Sequence, residues 1–396
     1  MRVLISGAGI AGPTFAYWLA HYGIEATIVE KAPRLRTGGY VIDFWGLGFD
    51  VADRMGLLAE IRRKGYIVRD VSIVNRAGKR IAGFPADAVA RVAQGRYVSV
   101  ARGDLAATIF GAIDGKIESI FNDSVARIDQ TAQSAQVTFE SGTARDFDLV
   151  VGADGLHSRV RGLVFGPEDQ FEKYLGYKVA AFEVHGYRPR DELVYVMYTE
   201  VAQQVARFAM SGDRTMFLFV FADHERDDAA PGDLQAQKAL LRKRYGASGW
   251  ECPQILDALE AASELYFDRV SQIHMGAQAG SWTNGRVTLL GDAAFCVSLL
   301  AGQGSALAMV SAYILAGELH LAGGDHAAAF ARYQQRFDAF VLQKQKGALR
   351  FAGIFAPKSK FSMFVRNQVM NLLKIPIVAD LAAGRDLADN LALPEY

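Results

Sequence analysis

The chain of 396 residues lacks the features that mark several classes of protein. It contains only two cysteines, Cys252 and Cys296, which are far apart and do not have the spacing of metal ligands. This low number argues against a disulfide framework and favours a reducing compartment. Lysine and arginine total 43, as do aspartate and glutamate, so the formal net charge is zero. Without a global field, neither nucleic acid nor an anionic membrane is an expected partner.

Long hydrophobic runs are also missing. Glycine, serine or a charged residue interrupts each apolar stretch before the roughly 20 residues that a membrane span requires. Met1 leads directly into the strand-like run RVLIS, with no apolar leader or cleavage site before it. We therefore expect a cytoplasmic protein that acts on a small molecule, holds no metal and has an oligomeric state that the sequence leaves open. At roughly 150 residues per domain, the length favours two domains.

The motif GAGIAG is the most informative local signal in the chain. It supplies Gly7, Gly9 and Gly12, follows a strand-like run and opens a predicted helix at Ala11, and the next strand ends in Glu30. This arrangement is the dinucleotide-binding fingerprint. The first glycine permits a tight turn, the second lets the backbone approach a pyrophosphate, and the third lets the helix pack closely on the strand. The positive end of the helix dipole then receives the phosphate charge.

Glu30 narrows the choice of dinucleotide. Its carboxylate is placed to accept hydrogen bonds from ribose hydroxyls, and it would repel a 2′-phosphate at the same position. The motif therefore predicts FAD or NAD rather than NADP at this site. By itself it does not separate FAD from NAD.

Two further motifs carry acidic residues at the ends of predicted strands. DLVVGADGLHSRVR contains Asp154 and the predicted helix cap Ser158, and RVTLLGDAAFCVSLLAGQGSALAM contains Asp292 before a long helix that starts near Gly302 and Gly304. An acidic residue at the carboxyl end of a strand faces the cofactor crevice of an open α/β sheet. A helix N-terminus near a flavin stabilises the negative charge of its reduced form. Each motif alone also fits an ordinary capped turn.

Together GAGIAG, GADG and GDAA resemble, in order and spacing, the motifs of the single-component (group A) FAD-dependent monooxygenases typified by para-hydroxybenzoate hydroxylase. The resemblance spans residues 1 to about 345. The runs RTGGYVIDFWGLGFDVADRMGLL and GDAAFCVSLLAGQGSAL are similar to the branch that contains tetracycline-hydroxylating and polyketide-tailoring monooxygenases.

This resemblance implies a resident FAD, a transient NAD(P)H, and O2 as the oxidant. It also implies hydroxylation of an aromatic or polyketide-type small molecule through a flavin C4a-hydroperoxide. The positions that it assigns to cofactor binding are Gly7, Gly9, Ala11, Gly12, Glu30, Lys31, Asp43, Arg102, Val125, Asp154, Asp292, Gly302 and Gly304. No catalytic base is evident, since a single histidine in a predicted sheet, such as His185, is more often structural.

The chain departs from the family pattern beside the flavin. The family has histidine after GDAA and proline four residues later, where this chain has Phe295 and Leu299. Loss of the proline removes a restraint on φ from this loop. The departure affects the expected geometry of the substrate more than that of FAD.

The remaining pattern predicts an α/β fold with a Rossmann-like FAD-binding domain, an interleaved antiparallel-sheet substrate domain and C-terminal helices. We expect the FAD-binding domain to comprise residues 1–75, 101–175 and 276–345, the substrate domain residues 76–100 and 176–275, and a helical tail residues 346–396. Alternation places Phe217 and Phe219 on one face of a strand and Arg207 on a neighbouring strand. They are candidates to stack on and anchor an aromatic substrate, although the same alternation also covers an ordinary core.

Two other functions fit the same motifs. An FAD-dependent reductase or dehydrogenase of a hydrophobic substrate uses this fold without oxygen transfer. A binding protein on a degenerate flavin fold would hold a small aromatic compound without any reaction. Detection of labelled oxygen in a product separates the monooxygenase from both alternatives.

Overall fold

The computed structural model describes residues 1–35, 40–85, 95–223, 233–275, 281–373, 389 and 391–396. The strands in these ranges are β1 (Arg2–Ser6), β2 (Glu25–Glu30), β3 (Val41–Trp45), β4 (Asp70–Val74), β5 (Arg80–Pro85), β6 (Tyr97–Ala101), β7 (Glu118–Phe121), β8 (Val125–Gln130), β9 (Ala135–Phe139), β10 (Ala144–Phe147), β11 (Leu149–Gly152), β12 (Glu172–His185), β13 (Val194–Glu200), β14 (Gln203–Ala209), β15 (Arg214–Ala222), β16 (Tyr266–Ile273), β17 (Thr283–Asn284) and β18 (Val287–Leu289).

The α-helices of the same ranges are α1 (Ala11–His21), α2 (Leu47–Arg54), α3 (Leu58–Lys64), α4 (Arg102–Gly111), α5 (Arg159–Val164), α6 (Leu234–Tyr245), α7 (Cys252–Ala261), α8 (Asp292–Phe295), α9 (Gly304–Leu321), α10 (His326–Phe355) and α11 (Lys360–Leu372). Short 3₁₀ turns cover Glu168–Gln170 and Leu299–Ala301.

A six-stranded sheet organises the FAD side of the molecule, in the order β17, β18, β11, β1, β2, β7. Its strands are parallel except β17, which pairs antiparallel with β18. Every residue of β11 is buried, as expected for a parallel strand covered on both faces. Helix α1 packs against α9 beside this sheet. Because the strands are parallel, β1, β11 and β18 deliver their following loops to one edge.

The second large sheet has seven strands in the order β16, β12, β15, β14, β13, β4, β5. Neighbours are antiparallel except β13 and β4, which are parallel. Helices α6 and α7 cover one face, called here the outer face, with a core that includes Phe182, Phe219 and Tyr245. The opposite, inner face packs against Tyr66 and the turn at Leu299. A two-stranded ribbon of β3 and β6 lies on this inner side.

The α/β fold class is confirmed, but three expected boundaries differ from the structure. β4 pairs with β13, so the chain enters the substrate sheet at Asp70 rather than at residue 76. β12 already pairs with β16 at Glu172. Helix α10 continues without a break from His326 to Phe355, across the boundary expected at residue 345. Local alternation identifies a strand, whereas its partner depends on contacts distant in sequence.

Helix α9 is the one helix in the described ranges that is long and apolar enough to cross a membrane. The mean hydropathy of the 18 residues Gly304–Leu321 is 1.3, and 72% of this segment is buried inside the fold. It packs against α1, α2 and α10. The apolar composition of α9 is therefore used in the core.

The C-terminal helices connect the two sides of the molecule. Helix α10 packs on α9, whereas α11 packs on β5 of the substrate sheet. The Pro357 carbonyl between these helices accepts a hydrogen bond from the Ala202 amide at 2.9 Å. The guanidinium of Arg366 donates to the Thr199 hydroxyl at 3.2 Å.

The side chain of His157 also connects the two sides of the molecule. Its Nδ1 lies 2.9 Å from an oxygen of Glu168, and its Nε2 lies 3.1 Å from an oxygen of Asp268 in β16. Hydrogen bonds to Asp268 and Glu168 raise the pKa of His157 to about 10. A doubly protonated ring donates to both carboxylates.

Because His157 must be protonated to donate to both carboxylates, we expect the protein to lose stability in alkaline solution. Since the pKa of His157 is raised above its unfolded value of about 6.5, its contribution is complete below that pH and is lost as the pH rises towards 10. The ring is half exposed, so solvent screening limits the contribution to about 1 kcal/mol. Urea unfolding at a series of pH values should show that the wild type loses this free energy of unfolding as the pH rises and that His157→Gln does not. The exposed His185→Gln serves as the control, and parallel curves for wild type and His157→Gln would contradict the prediction.

Candidate functional site

The loop after β1 has glycines where side chains would not fit. Gly7 has a φ of 110°, and a Cβ there would overlap the Ala153 carbonyl. A Cβ at Gly12 would overlap the Gly7 carbonyl oxygen and press on Ile5. The turn and the close approach of α1 to β1 therefore both depend on the absence of side chains.

Gly9 differs from these two glycines because it borders open space. Among the described residues, a Cβ built there meets only the Arg102 guanidinium, whose Nη2 lies 3.9 Å away. Helix α1 begins at Ala11, and no side chain caps its N-terminus at Ile10. Amide groups, the helix dipole and a guanidinium thus face the same space, an arrangement that fits a pyrophosphate.

Glu30 ends β2 at the rim of this space. One carboxylate oxygen accepts a hydrogen bond from the Ala8 amide and the other from the Ala32 amide, each at 2.9 Å. These bonds fix the half-buried carboxylate beside the glycine loop. Lys31 follows in an exposed position. The geometry suits a carboxylate that accepts hydroxyl donors with its remaining lone pairs.

Asp154 lies at the end of β11, but its carboxylate is already engaged within the chain. One oxygen accepts a hydrogen bond from the Ser158 hydroxyl at 2.5 Å, and the other accepts from the amides of Arg159 at 2.8 Å and Val160 at 3.1 Å. Burial raises the pKa of Asp154, although these bonds oppose the shift. Ser158 caps α5 as predicted. Val125 is buried, and its carbonyl accepts a bond from the Arg159 Nε at 2.5 Å.

Asp292 begins α8 and lies beside the start of α9. A Cβ at Gly304 would be 3.6 Å from a carboxylate oxygen of Asp292. Burial raises the pKa of Asp292, while the positive charge of Arg102 and a hydrogen bond from Cys296 lower it. Arg102 therefore links the glycine loop to Asp292. Tyr40 completes the cluster, since its carbonyl accepts a bond from the Arg102 amide at 3.0 Å.

A side-chain hydrogen bond stabilises the turn before α9, where the family has a proline. Ser298 has a φ of 114°, and its hydroxyl accepts a bond from the Leu300 amide at 3.3 Å. Leu299 starts the 3₁₀ turn, which ends at Gly302 with a φ of 66°. Phe295 is buried and packs with its ring edge against Trp282 at 5.3 Å. The turn is held in place although both family residues are absent.

Asp43 shares a small pocket with the start of α9. Its wall includes Asp43, Trp45, Gly302 and Lys344. Asp43 is therefore brought to the same region as Gly302 and Gly304, although about 260 residues separate them in sequence.

The side chains expected from alternation to contact the substrate lie on the outer face of the sheet. Phe217 and Phe219 are fully buried in the core between the outer face and the two covering helices. Arg207 is buried on that side as well, with its guanidinium 2.7 Å from Asp191. Alternation identifies which side chains share a face but not which face the helices cover. His185 is exposed at the end of β12 and is not part of the site.

The inner face carries aromatic and sulfur side chains that the sequence analysis missed. The rings of Tyr195 and Phe208 stack with centroids 4.4 Å apart, and Met216 packs beside them. The ring centroids of Tyr266 and Tyr40 are 5.4 Å apart, and Tyr40 adjoins Arg102. Phe208 follows Arg207 in β14 and Met216 precedes Phe217 in β15, so both belong to the alternate positions of those strands. The alternation of side chains along the strands could have identified these residues, but only if the positions of the covering helices had been known.

Comparison with known proteins agrees with this geometry. A family model described as FAD binding domain matches residues 1–343. A protein of Mycobacterium tuberculosis is 40% identical over 352 residues, covering 87% of this chain and 91% of that protein. A flavin-dependent monooxygenase from an unknown prokaryotic organism is 35% identical, covering 100% of this chain and 99% of that protein. The crystal structure of the tetracycline destructase Tet(55) matches with a TM-score of 0.83 and 30% identity, covering 100% of this chain and 98% of that chain.

The fold and the glycine loop define a protein that holds a dinucleotide at the edge of a parallel sheet. The chain belongs to the FAD binding domain family and is an FAD-dependent monooxygenase of the group A type.

Proposed function

We propose that this monooxygenase uses NAD(P)H and O2 in the cytoplasm to hydroxylate an electron-rich polycyclic phenol of the tetracycline or polyketide class. The observation that carries the proposal is the composition of the inner face. Its aromatic pairs and Met216 lie on the side of the sheet that packs against Tyr40 and the Leu299 turn. Aromatic rings stack on such surfaces with useful energy, and methionine adapts to their outline.

Two tyrosines at this face supply neutral polar groups. Burial raises the pKa of Tyr40 to about 12 and raises that of Tyr266 well above its usual range. Both hydroxyls are therefore protonated at neutral pH, and that of Tyr266 donates to the Asp268 carboxylate at 3.4 Å. A substrate with several oxygen atoms on fused rings matches a wall of this kind better than a plain hydrocarbon does.

We infer that FAD lies along the edge of the parallel sheet to which β1, β11 and β18 deliver their following loops. We infer that Glu30 and Lys31 hold the adenosine end of FAD, with the backbone near Val125 beside it. The amides around Gly9 and the guanidinium of Arg102 bind the pyrophosphate. The positions assigned to the remainder of FAD are Ala11, Gly12, Asp43, Asp154, Asp292, Gly302 and Gly304.

When bound, FAD supplies the chemistry that accepts electrons from NAD(P)H and transfers oxygen from O2 to the substrate. The chain contributes position and electrostatics. The uncapped N-terminus of α9 presents its positive dipole end at Gly304, which stabilises negative charge on a neighbouring ring. The buried side chains of the inner face exclude water from the reacting atoms.

Turnover with tetracycline tests the proposed function. The purified FAD-loaded enzyme should oxidise NADPH or NADH faster when tetracycline is present, and the product should gain one oxygen atom that carries the label from oxygen-18 gas. Hydrogen peroxide is measured in parallel to detect oxidation that is not coupled to hydroxylation. Reduced product without label would instead support a reductase. Tetracycline that binds without NAD(P)H oxidation would support a binding protein.

A further inference from the structure

Helix α11 has its apolar side turned towards solvent. From Phe361 onwards, its exposed positions repeat with the period of one helix face. The residues of this face are Phe361, Phe364, Val365, Gln368, Val369 and Leu372. All of them except Gln368 are large and apolar, and Phe361 is 76% exposed. Single exposed apolar side chains are ordinary, whereas a contiguous group of them marks an interaction surface. We call this group the α11 face.

The opposite side of α11 contacts the protein and is the more polar of the two. Its half-buried residues are Ser362, Met363, Arg366, Asn367, Met370 and Asn371. The guanidinium of Arg366 donates to the Thr199 hydroxyl at 3.2 Å, and the helix packs on β5. A surface helix of a soluble protein normally has the reverse distribution, with its apolar stripe towards the core. Packing within the fold therefore does not account for the apolar residues of the α11 face.

The start of α11 is fixed, so the α11 face has one orientation on the protein. The Ser359 hydroxyl accepts a hydrogen bond from the Ser362 amide at 3.1 Å, and the Ser362 hydroxyl accepts one from the Ser359 amide at 3.0 Å. This reciprocal pair is a capping box. Just before it, the hydrogen bond between the Ala202 amide and the Pro357 carbonyl ties the segment to the substrate sheet.

The charged residues of this segment are all positive. From residue 356 to residue 373 the chain contains Lys358, Lys360 and Arg366 and no aspartate or glutamate. The two lysines are exposed and directly precede Phe361. The zero net charge of the whole chain does not reveal this local excess of positive charge beside the α11 face. An anionic lipid surface complements both the charge and the apolar side chains.

The size of the α11 face favours a membrane surface over a second protein. A stable protein interface involves about 20 to 30 residues on each side, far more than the five apolar side chains of this face. The 13 residues of α11 extend over roughly 20 Å, which is too short to cross a hydrocarbon core of roughly 30 Å. A short helix with one apolar face and adjoining lysines is suited to lie in the plane of the membrane interface.

We propose that α11 binds the surface of an anionic lipid bilayer. In this arrangement Phe361, Phe364 and Leu372 enter the boundary between headgroups and acyl chains, while Lys358 and Lys360 bind the phosphate groups of the lipids. The helix lies in the plane of the membrane, and the substrate sheet on which it packs is held beside the bilayer. The inference does not depend on which substrate the enzyme takes.

Sedimentation of the FAD-loaded enzyme with lipid vesicles tests the proposal, and the flavin absorbance of the pellet measures the bound fraction. Vesicles of phosphatidylcholine and phosphatidylglycerol in equal amounts should bind the wild type, and vesicles of phosphatidylcholine alone should bind it about tenfold more weakly. Added salt should weaken binding to the anionic vesicles. The double variant Phe361→Ser and Phe364→Ser should bind the anionic vesicles about 100-fold more weakly, because two apolar rings no longer leave water.

Matched controls separate the α11 face from the rest of the surface. Ile67 is 74% exposed and lies outside α11, so Ile67→Ser should bind as the wild type does. The double variant Lys358→Glu and Lys360→Glu should lose the preference for anionic vesicles, whereas Lys243→Glu on α6 should keep it. All these variants should retain FAD and the wild-type urea midpoint, since the substituted side chains are exposed.

Three results of the vesicle experiment overturn the proposal. They are a wild type that stays in the supernatant with both kinds of vesicle, a wild type that binds both kinds equally, and a phenylalanine double variant that binds as the wild type does. Gel filtration at increasing protein concentration supplies a further test. Dimers that form with the wild type but not with the phenylalanine double variant would make the α11 face an interface between two copies of the chain, which also overturns the proposal.

Discussion

Gly12→Ala is expected to give a protein that does not retain FAD. The added Cβ would overlap the Gly7 carbonyl oxygen and touch Ile5. Both are held by the tight turn between β1 and α1, so α1 must move away from the sheet. Forced overpacking of this kind costs about 3 kcal/mol of unfolding free energy. The displaced helix would also carry its N-terminal amides away from the phosphates, and loss of the visible flavin absorbance after gel filtration measures that effect.

A matched glycine in another helix provides the control. Gly111 is the last residue of α4, and a Cβ there meets nothing within 4 Å. Gly111→Ala should retain full FAD and gain about 0.5 kcal/mol, because alanine restricts the unfolded chain. If Gly12→Ala kept its flavin and its urea midpoint, the close packing of α1 on β1 would not be what positions the phosphates.

Arg102→Met is expected to lower the affinity for FAD by about 100-fold, since charge-assisted hydrogen bonds contribute about 1.5 to 3 kcal/mol each. Arg102 is the guanidinium that approaches Gly9, and it also stabilises the charged form of Asp292. In the variant, the pKa of Asp292 should rise further because this favourable charge is gone. FAD binding should then become weaker as the pH falls, and titration by quenching of flavin fluorescence at several pH values measures both effects.

Arg127→Met is the control for removal of an arginine, because Arg127 is exposed and pairs with Asp129. It should bind FAD as the wild type does. An Arg102→Met protein with unchanged affinity at low and high salt would mean that the amides of the glycine loop carry the pyrophosphate alone.

The cofactor end of the site was predictable because its chemistry is local in sequence. A turn that needs Gly7, a helix that needs Gly12 and a strand that ends in Glu30 all lie within thirty residues, and the structure places them together. The close approach of Asp292 to Gly304 was predictable for the same reason, since a short loop connects them.

The substrate side was less predictable because it depends on long-range packing. Alternation grouped Phe217 with Phe219 correctly, but the choice of face depends on where α6 and α7 pack. The residue type and position of Asp154, which are those of a cofactor ligand, did not predict that its oxygens also hold the first turn of α5. The hydrogen bonds that Asp43 accepts from Tyr97 and Ser99 join two strands separated by the whole β4–β5 excursion, and no local pattern signals them.

The strand order of the parallel sheet has a consequence for synthesis on the ribosome. β1 lies between β2 and β11, and β11 needs β18, which ends at Leu289. The seven-stranded sheet, by contrast, is complete once Ile273 has been made. During translation β11 therefore remains unpaired on one edge until β18 has been made. Slow, late closure of this kind is typical of non-local parallel sheets and exposes the nascent chain to aggregation. We expect the yield of this protein to depend on chaperones that shield unpaired strands, and on FAD present as the last strand is added.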